Sequence, residues 1–168
     1  MLYLVLVVLI IILFSFAYAF FRAIGWIPMW SKDVATVIKL ADLKPGDKFC
    51  DLGCGEGKVV VAAAKNGAQA VGYELSLLLY IIAKIRSWFS RGKVQIKFRD
   101  FWLVDLSEMD AVFFFLIPRI FPKMKEKLER ELKPGARVVI YVWPMKGWQP
   151  EKVVKRENGP AIYLYRMK

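Results

Sequence analysis

The run Phe49-Cys50-Asp51-Leu52-Gly53-Cys54-Gly55-Glu56-Gly57 constrains the fold more than any other part of this chain. Apolar residues lead into an acid, three glycines alternate with other residues, and the helix-compatible segment Lys58 to Lys65 follows. This pattern describes a buried strand that ends in a loop lying close to a ligand. Glycine permits positive φ and leaves no Cβ between backbone and ligand. The acid at the strand's carboxyl end suits a ligand bearing hydroxyl groups or positive charge. Two phosphate-binding loops are excluded by position. A dinucleotide fingerprint needs its last glycine where Lys58 stands. A P-loop needs glycine at Leu52 and Ser or Thr at Val59.

Alternating strands and helices extend from this loop. Strands are expected at Lys48 to Leu52, Ala70 to Tyr73, Val94 to Phe98, Ala111 to Leu116 and Ala136 to Trp143. Helices are expected at Lys58 to Asn66, Ser76 to Arg91 and Pro118 to Leu132, stopped by Gly67, by Gly92 and by Lys133-Pro134-Gly135. Lys152 to Arg156 and Ala161 to Met167 suit an antiparallel pair around Glu157-Asn158-Gly159-Pro160. Such alternation implies an α/β fold with a doubly wound, mostly parallel sheet. Ligands bind such sheets at the carboxyl ends of the strands. Asp51, Glu74 and Asp100 fall at the ends of strands one, two and three, and Pro118 and Pro144 follow strands four and five.

The spacing D-x-G-x-G-x-G at Asp51 to Gly57 resembles the first motif of the class I, seven-strand S-adenosylmethionine-dependent methyltransferases. Further segments resemble the protein-lysine methyltransferases that modify the ATP synthase c subunit and the adenine nucleotide translocase, and related archaeal enzymes. They are Ala62-Ala63-Ala64-Lys65, Gly67, Ala70 to Leu75, Asp100-Phe101-Trp102, Leu116-Ile117-Pro118, Lys127 to Leu132 and Pro144 to Trp148. The resemblance covers roughly residues 26 to 156 and departs from the family pattern at Ile27 to Ser31 and at Lys146. It implies a seven-stranded Rossmann-like methyltransferase sheet with S-adenosyl-L-methionine as cofactor. Gly53, Gly55 and Gly57 would admit the methionine moiety, and Asp51 would act through loop amides or water. Glu74, 17 residues beyond Gly57, would bind ribose hydroxyls, and Asp100 with Phe101 would hold the adenine. Leu116, Pro118, Trp143, Pro144 and Trp148 would wall the substrate channel.

The first 21 residues carry no charge. As a helix they would rise about 32 Å, close to the ~30 Å of a bilayer's hydrocarbon core, so residues 1–22 are expected to form a transmembrane anchor. A cleaved signal peptide competes through Ala17-Tyr18-Ala19, but no Lys or Arg precedes the apolar run. Arg22, Lys32 and Lys39 follow it, which places the remainder on the cytoplasmic side. Residues 23–46 then form a juxtamembrane segment with Gly25, Trp26, Pro28 and Trp30, and a first helix that Ser31 can cap. Residues 47–168 form the methyltransferase domain. Cys50 and Cys54 are the only cysteines and no His is present, so neither a zinc site nor a disulfide framework is indicated. The net charge of +11 could serve a nucleic acid, but for a tethered domain the nearer partner is the anionic membrane surface, and an ordinary solvated cationic face is the alternative.

Together these features predict a membrane-anchored protein-lysine N-methyltransferase whose partner is a membrane-associated protein with an accessible lysine. No residue is assigned as a catalytic base, and no metal is assigned. Methylation of a lipid headgroup or quinone, or a non-catalytic cofactor-binding membrane module, remain the alternatives. A nucleic-acid acceptor is not expected, because Leu116-Ile117-Pro118 stands where base methyltransferases carry Asn/Asp-Pro-Pro-Tyr/Phe.

Overall fold

Central strands buried on both faces send alternate side chains into two cores, one on each face of a single sheet. The computed structural model describes residues 1–22, 27–90, 93–157 and 159–168, except for the side chains of residues 16 and 19–22. The strands are β1 (Lys48–Leu52), β2 (Gln69–Glu74), β3 (Val94–Phe98), β4 (Ala111–Phe114), β5 (Arg137–Tyr141), β6 (Lys152–Lys155) and β7 (Ala161–Arg166). The helices are α1 (Leu2–Arg22), α2 (Val34–Ala41), α3 (Lys58–Lys65), α4 (Leu77–Trp88) and α5 (Phe121–Glu131).

The seven strands lie in the order β3-β2-β1-β4-β5-β7-β6. The first five are mutually parallel, and β7 runs antiparallel to both β5 and β6. The predicted doubly wound sheet with a terminal hairpin is therefore present. Phe49, Ala70, Phe113, Val139 and Tyr141 face the core shared with α2 and α3. Cys50, Leu52, Val112, Phe114 and Ile140 face the core shared with α5. β1, β4 and β5 are buried on both faces, as central strands of a parallel sheet must be.

Two strands end earlier than their apolar runs suggest. β4 stops at Phe114, after which Phe115, Leu116 and Ile117 leave the ladder. β5 stops at Tyr141 because Val142 has a φ of 76°, which no extended strand accommodates. Near the amino end, Ser31–Asp33 form a 3-10 turn that leads into α2, so Ser31 is not the residue that caps that helix. The expected helix stop at Gly92, the juxtamembrane residues Gly25 and Trp26, and Asn158 of the hairpin turn lie outside the described residues.

The expected transmembrane anchor, and with it single-pass membrane placement, is corrected by the structure. Among the described residues, no helix is long and apolar enough to cross a membrane. Helix α1 also returns to the folded domain, where the Ser15 hydroxyl accepts a hydrogen bond from the Leu77 amide at the start of α4 (3.2 Å). An uncharged run of sequence therefore does not establish a span here.

Candidate active site

β1 delivers Asp51 and Leu52 to the sheet's carboxyl edge, and the chain then folds back over β2. The amides of Gly53 and Cys54 both donate to the Tyr73 carbonyl, at 3.0 and 2.9 Å. This close approach depends on Gly72, a residue not singled out in the sequence. A Cβ there would sit 2.7 Å from Cys54 Sγ and 2.8 Å from Val60 Cγ2. A glycine inside a strand is the signal that marks such an approach. The loop closes at Gly57 (φ 78°), where a side chain would also press on the Ala83 backbone at 3.3 Å. Glu56 pins the loop outward through Lys58 (2.6 Å) and Arg86 (2.7 Å).

Glu74, at the end of β2, turns back to this loop. Its carboxylate accepts from the amides of Gly55 (2.8 Å), Leu75 (2.9 Å) and Ser76 (2.7 Å). Burial pushes its pKa up, opposed by those three amides. Burial also holds Asp51 well above the usual carboxylate range, with the Glu74 charge adding to the effect. Asp51 Oδ1 and Ser76 Oγ are both buried without a hydrogen-bond partner among the described residues. Buried polar atoms are seldom left so, and both residues border the same cavity.

That cavity has a volume of about 110 Å³ and opens to solvent at its mouth. Asp51, Gly53, Gly55, Glu74 and Phe101 line its β1–β2 side. Phe113, Phe115, Leu116, Ile117 and Trp143 line its β4–β5 side. Ile27, Pro28 and Met29 close it from the segment before α2, a contribution the sequence did not reveal. Not every expected site residue reaches the cavity wall. Asp100 is buried but caps the next turn, accepting from the Trp102 amide at 2.9 Å. Gly57 shapes the loop from behind. Pro118 and Pro144 are exposed beyond the rim. Trp148 packs on Tyr165 at 5.4 Å between ring centroids and donates from Nε1 to Glu129 (2.8 Å).

The cavity's two sides differ in chemistry. The first offers backbone amides and carboxyl groups, and the second offers apolar and aromatic side chains. Two partnerless polar atoms beside a glycine loop that excludes side chains fit a ligand that carries hydroxyls and positive charge. S-adenosylmethionine is such a ligand. The sheet order and this site define an S-adenosylmethionine-dependent methyltransferase.

Comparisons with known proteins agree and narrow the class. Residues 51–152 match the family described as the ANTKMT methyltransferase domain, and the chain belongs to that family. It is 36% identical to a protein-lysine N-methyltransferase of Saccharolobus islandicus (strain REY15A), over 84% of this chain and 92% of that one. It is 35% identical to the mouse lysine N-methyltransferase of the ATP synthase c subunit, over 84% of this chain but only 57% of the mouse protein. A solved structure of an RNA methyltransferase from Salinibacter ruber in complex with S-adenosyl-L-homocysteine superposes with a TM-score of 0.80. It shares 29% identity, with 84% of this chain and 94% of that chain covered.

Proposed function

We propose that the chain is a protein-lysine N-methyltransferase. The observation that carries this reading is the uncharged, aromatic β4–β5 side of the cavity, which opens beside the cofactor cradle. It is supported by the lysine specificity in the names of the archaeal and mouse relatives. S-adenosylmethionine supplies an electrophilic methyl group on a sulfonium. Asp51, Gly53, Gly55, Glu74 and Phe101 would hold it, with Asp100 supporting the turn that carries Phe101.

The chain's own contribution at the acceptor side is to position and dry the amine. A lysine ammonium drawn among Phe113, Phe115, Leu116 and Trp143 loses solvation, which lowers its pKa and favours the neutral nucleophile. Among the described residues that line this side, no carboxylate holds the proton in place. Proximity and alignment then carry the transfer, and bulk water takes the proton. No side chain is needed as a base at the reacting atom.

The test is incubation of the purified chain with methyl-labelled cofactor and a cell extract, followed by separation into protein, lipid and RNA. Label on lysine in the protein fraction, mapped by mass spectrometry, is the expected result. Label confined to lipid or to RNA overturns the lysine reading.

A further inference from the structure

The end of β5 holds a backbone conformation that its sequence does not favour. Val142 is β-branched and sits at φ 76°, a region where such a residue is a true outlier. The Trp143 amide donates to the Tyr141 carbonyl at 3.1 Å, closing a three-residue γ-turn around Val142. The positive-φ form of this turn is rare and strained. Residues held this way persist only where the surroundings over-determine them.

The surroundings are specific. The Val142 amide donates to the Ala161 carbonyl at 2.8 Å. The Tyr141 hydroxyl donates to Asp33 Oδ2 at 2.5 Å, across 108 residues of sequence. Asp33 is fully buried, and Arg156 of the β6–β7 hairpin approaches its other oxygen at 2.7 Å. The same guanidinium lies over the Trp30 ring, 5.7 Å from its centroid. Asp33 therefore joins three elements at one point: the segment that carries Ile27 to Met29, the end of β5, and the hairpin.

The turn has a directional result. In a continuing strand, residues 141 and 143 would share a face. Here Tyr141 stays with the α2-side core, while Trp143 crosses the sheet's end to pack on the α5 side. Phe115 lies between them, edge-on to Tyr141 (4.8 Å, 86°) and stacked on Trp143 (5.8 Å, 29°). Both Phe115 and Trp143 line the cavity. Burial, with Asp33 reinforcing it, pushes the Tyr141 phenol up, so it remains a hydrogen-bond donor rather than a base.

We propose that Asp33, Tyr141 and Val142 are positioning residues whose strained turn presents Trp143, backed by Phe115, as the wall that receives a cationic alkylamine. Aromatic faces attract ammonium groups, the indole most strongly. Such a wall orients the incoming amine without a counter-charge that would lock its proton on. The specificity part of this proposal rests on the lysine reading above. The mechanical part does not.

The experiment uses the full chain carrying 5-fluorotryptophan, with the Trp143 fluorine resonance assigned by Trp143→Phe. Tyr141→Phe and Asp33→Asn, which alter the bond that holds the end of β5, are compared with Val37→Ala, a core substitution outside the network. Poly-L-lysine is the acceptor probe. In Tyr141→Phe and Asp33→Asn, the Trp143 resonance should shift and acceptor KM should rise about fivefold or more. The Kd for S-adenosylmethionine should stay within about twofold, because the cradle is untouched. Val37→Ala should lower Tm while leaving the resonance and KM in place. Unchanged resonance and KM in Tyr141→Phe, or the same changes in Val37→Ala, overturn the proposal. If the wild-type chain methylates no lysine, the lysine reading fails and the fluorine signal alone decides the positioning device. A moved resonance supports it and an unmoved one overturns it.

Discussion

At the β1–β2 end of the cavity the backbone does most of the recognition, whereas at the β4–β5 end aromatic rings form the wall. The first region is built from sequence neighbours: Asp51 to Gly57 fold over one strand, and Glu74 binds the loop amide of Gly55 directly. The second collects Ile27, Phe115, Leu116 and Trp143 from distant parts of the chain. A loop of glycines can be damaged by one Cβ, while a wall of rings can be retuned. On the function proposed above, the difference separates binding of an invariant cofactor from selection of an acceptor.

The largest expected effect is at Gly57. A valine there would be β-branched at φ 78° and would press on the Ala83 backbone. Gly57→Val should cost about 3 kcal/mol, roughly 6–12 °C in Tm for a chain of this size, with loss of cofactor binding. Differential scanning calorimetry and titration calorimetry measure both. A folded Gly57→Val that binds cofactor normally would break the claim that backbone shape dominates this end.

Asp51→Asn should separate stability from function. Burial raises the Asp51 carboxyl, with Glu74 adding to it, so between the ordinary and raised values the folded chain binds a proton that the unfolded chain releases. The stability linked to this group is complete below the ordinary carboxylate pKa and declines as pH rises through the folded value. The neutral amide removes that decline, and the cofactor-free variant should melt about 2–4 °C higher near neutral pH, equivalent to ~1 kcal/mol. Its affinity for the cationic cofactor should fall about 30-fold or more, equivalent to ~2 kcal/mol. A variant that loses both stability and binding would assign Asp51 to structure alone.

Trp143→Ala and Trp148→Phe test the other end. The first should raise acceptor KM about tenfold, an effect of ~1–2 kcal/mol from one aromatic face, with cofactor Kd within about twofold. The second loses only a bond to the half-exposed Glu129, and its acceptor KM should stay within about twofold. Equal effects from both tryptophans would erase the distinction drawn between them.

The smallest effect is a proton. Positive charge brought to Asp51 and Glu74 favours their ionised forms, so cofactor binding should release protons and strengthen as pH rises through their raised range. Titration calorimetry in buffers of different ionisation enthalpy reads this directly. Proton uptake on binding would reverse the assignment of the two acids.

The fold and the cofactor half were legible because their signals are local. Glycine's tolerance of positive φ, the acids closing strands one to three and the short apolar runs each act within a few residues. The same local logic failed at α1, where an uncharged run suggested a bilayer span that the described residues do not support. Glu74 was expected at its strand end, but its three amide bonds depend on how the loop closes.

By itself, then, the chain's order of residues determined the alternating architecture, the glycine cradle and the acids that face it. Only the tertiary structure decided which tryptophan enters the cavity, how Val142 turns it there, and that Asp33 meets Tyr141. Those outcomes depend on hydrogen bonds between segments more than a hundred residues apart and on a backbone angle that no residue type at position 142 announces. Local chemistry is written in the sequence, whereas strain and long-range contact exist only once the chain has closed on itself.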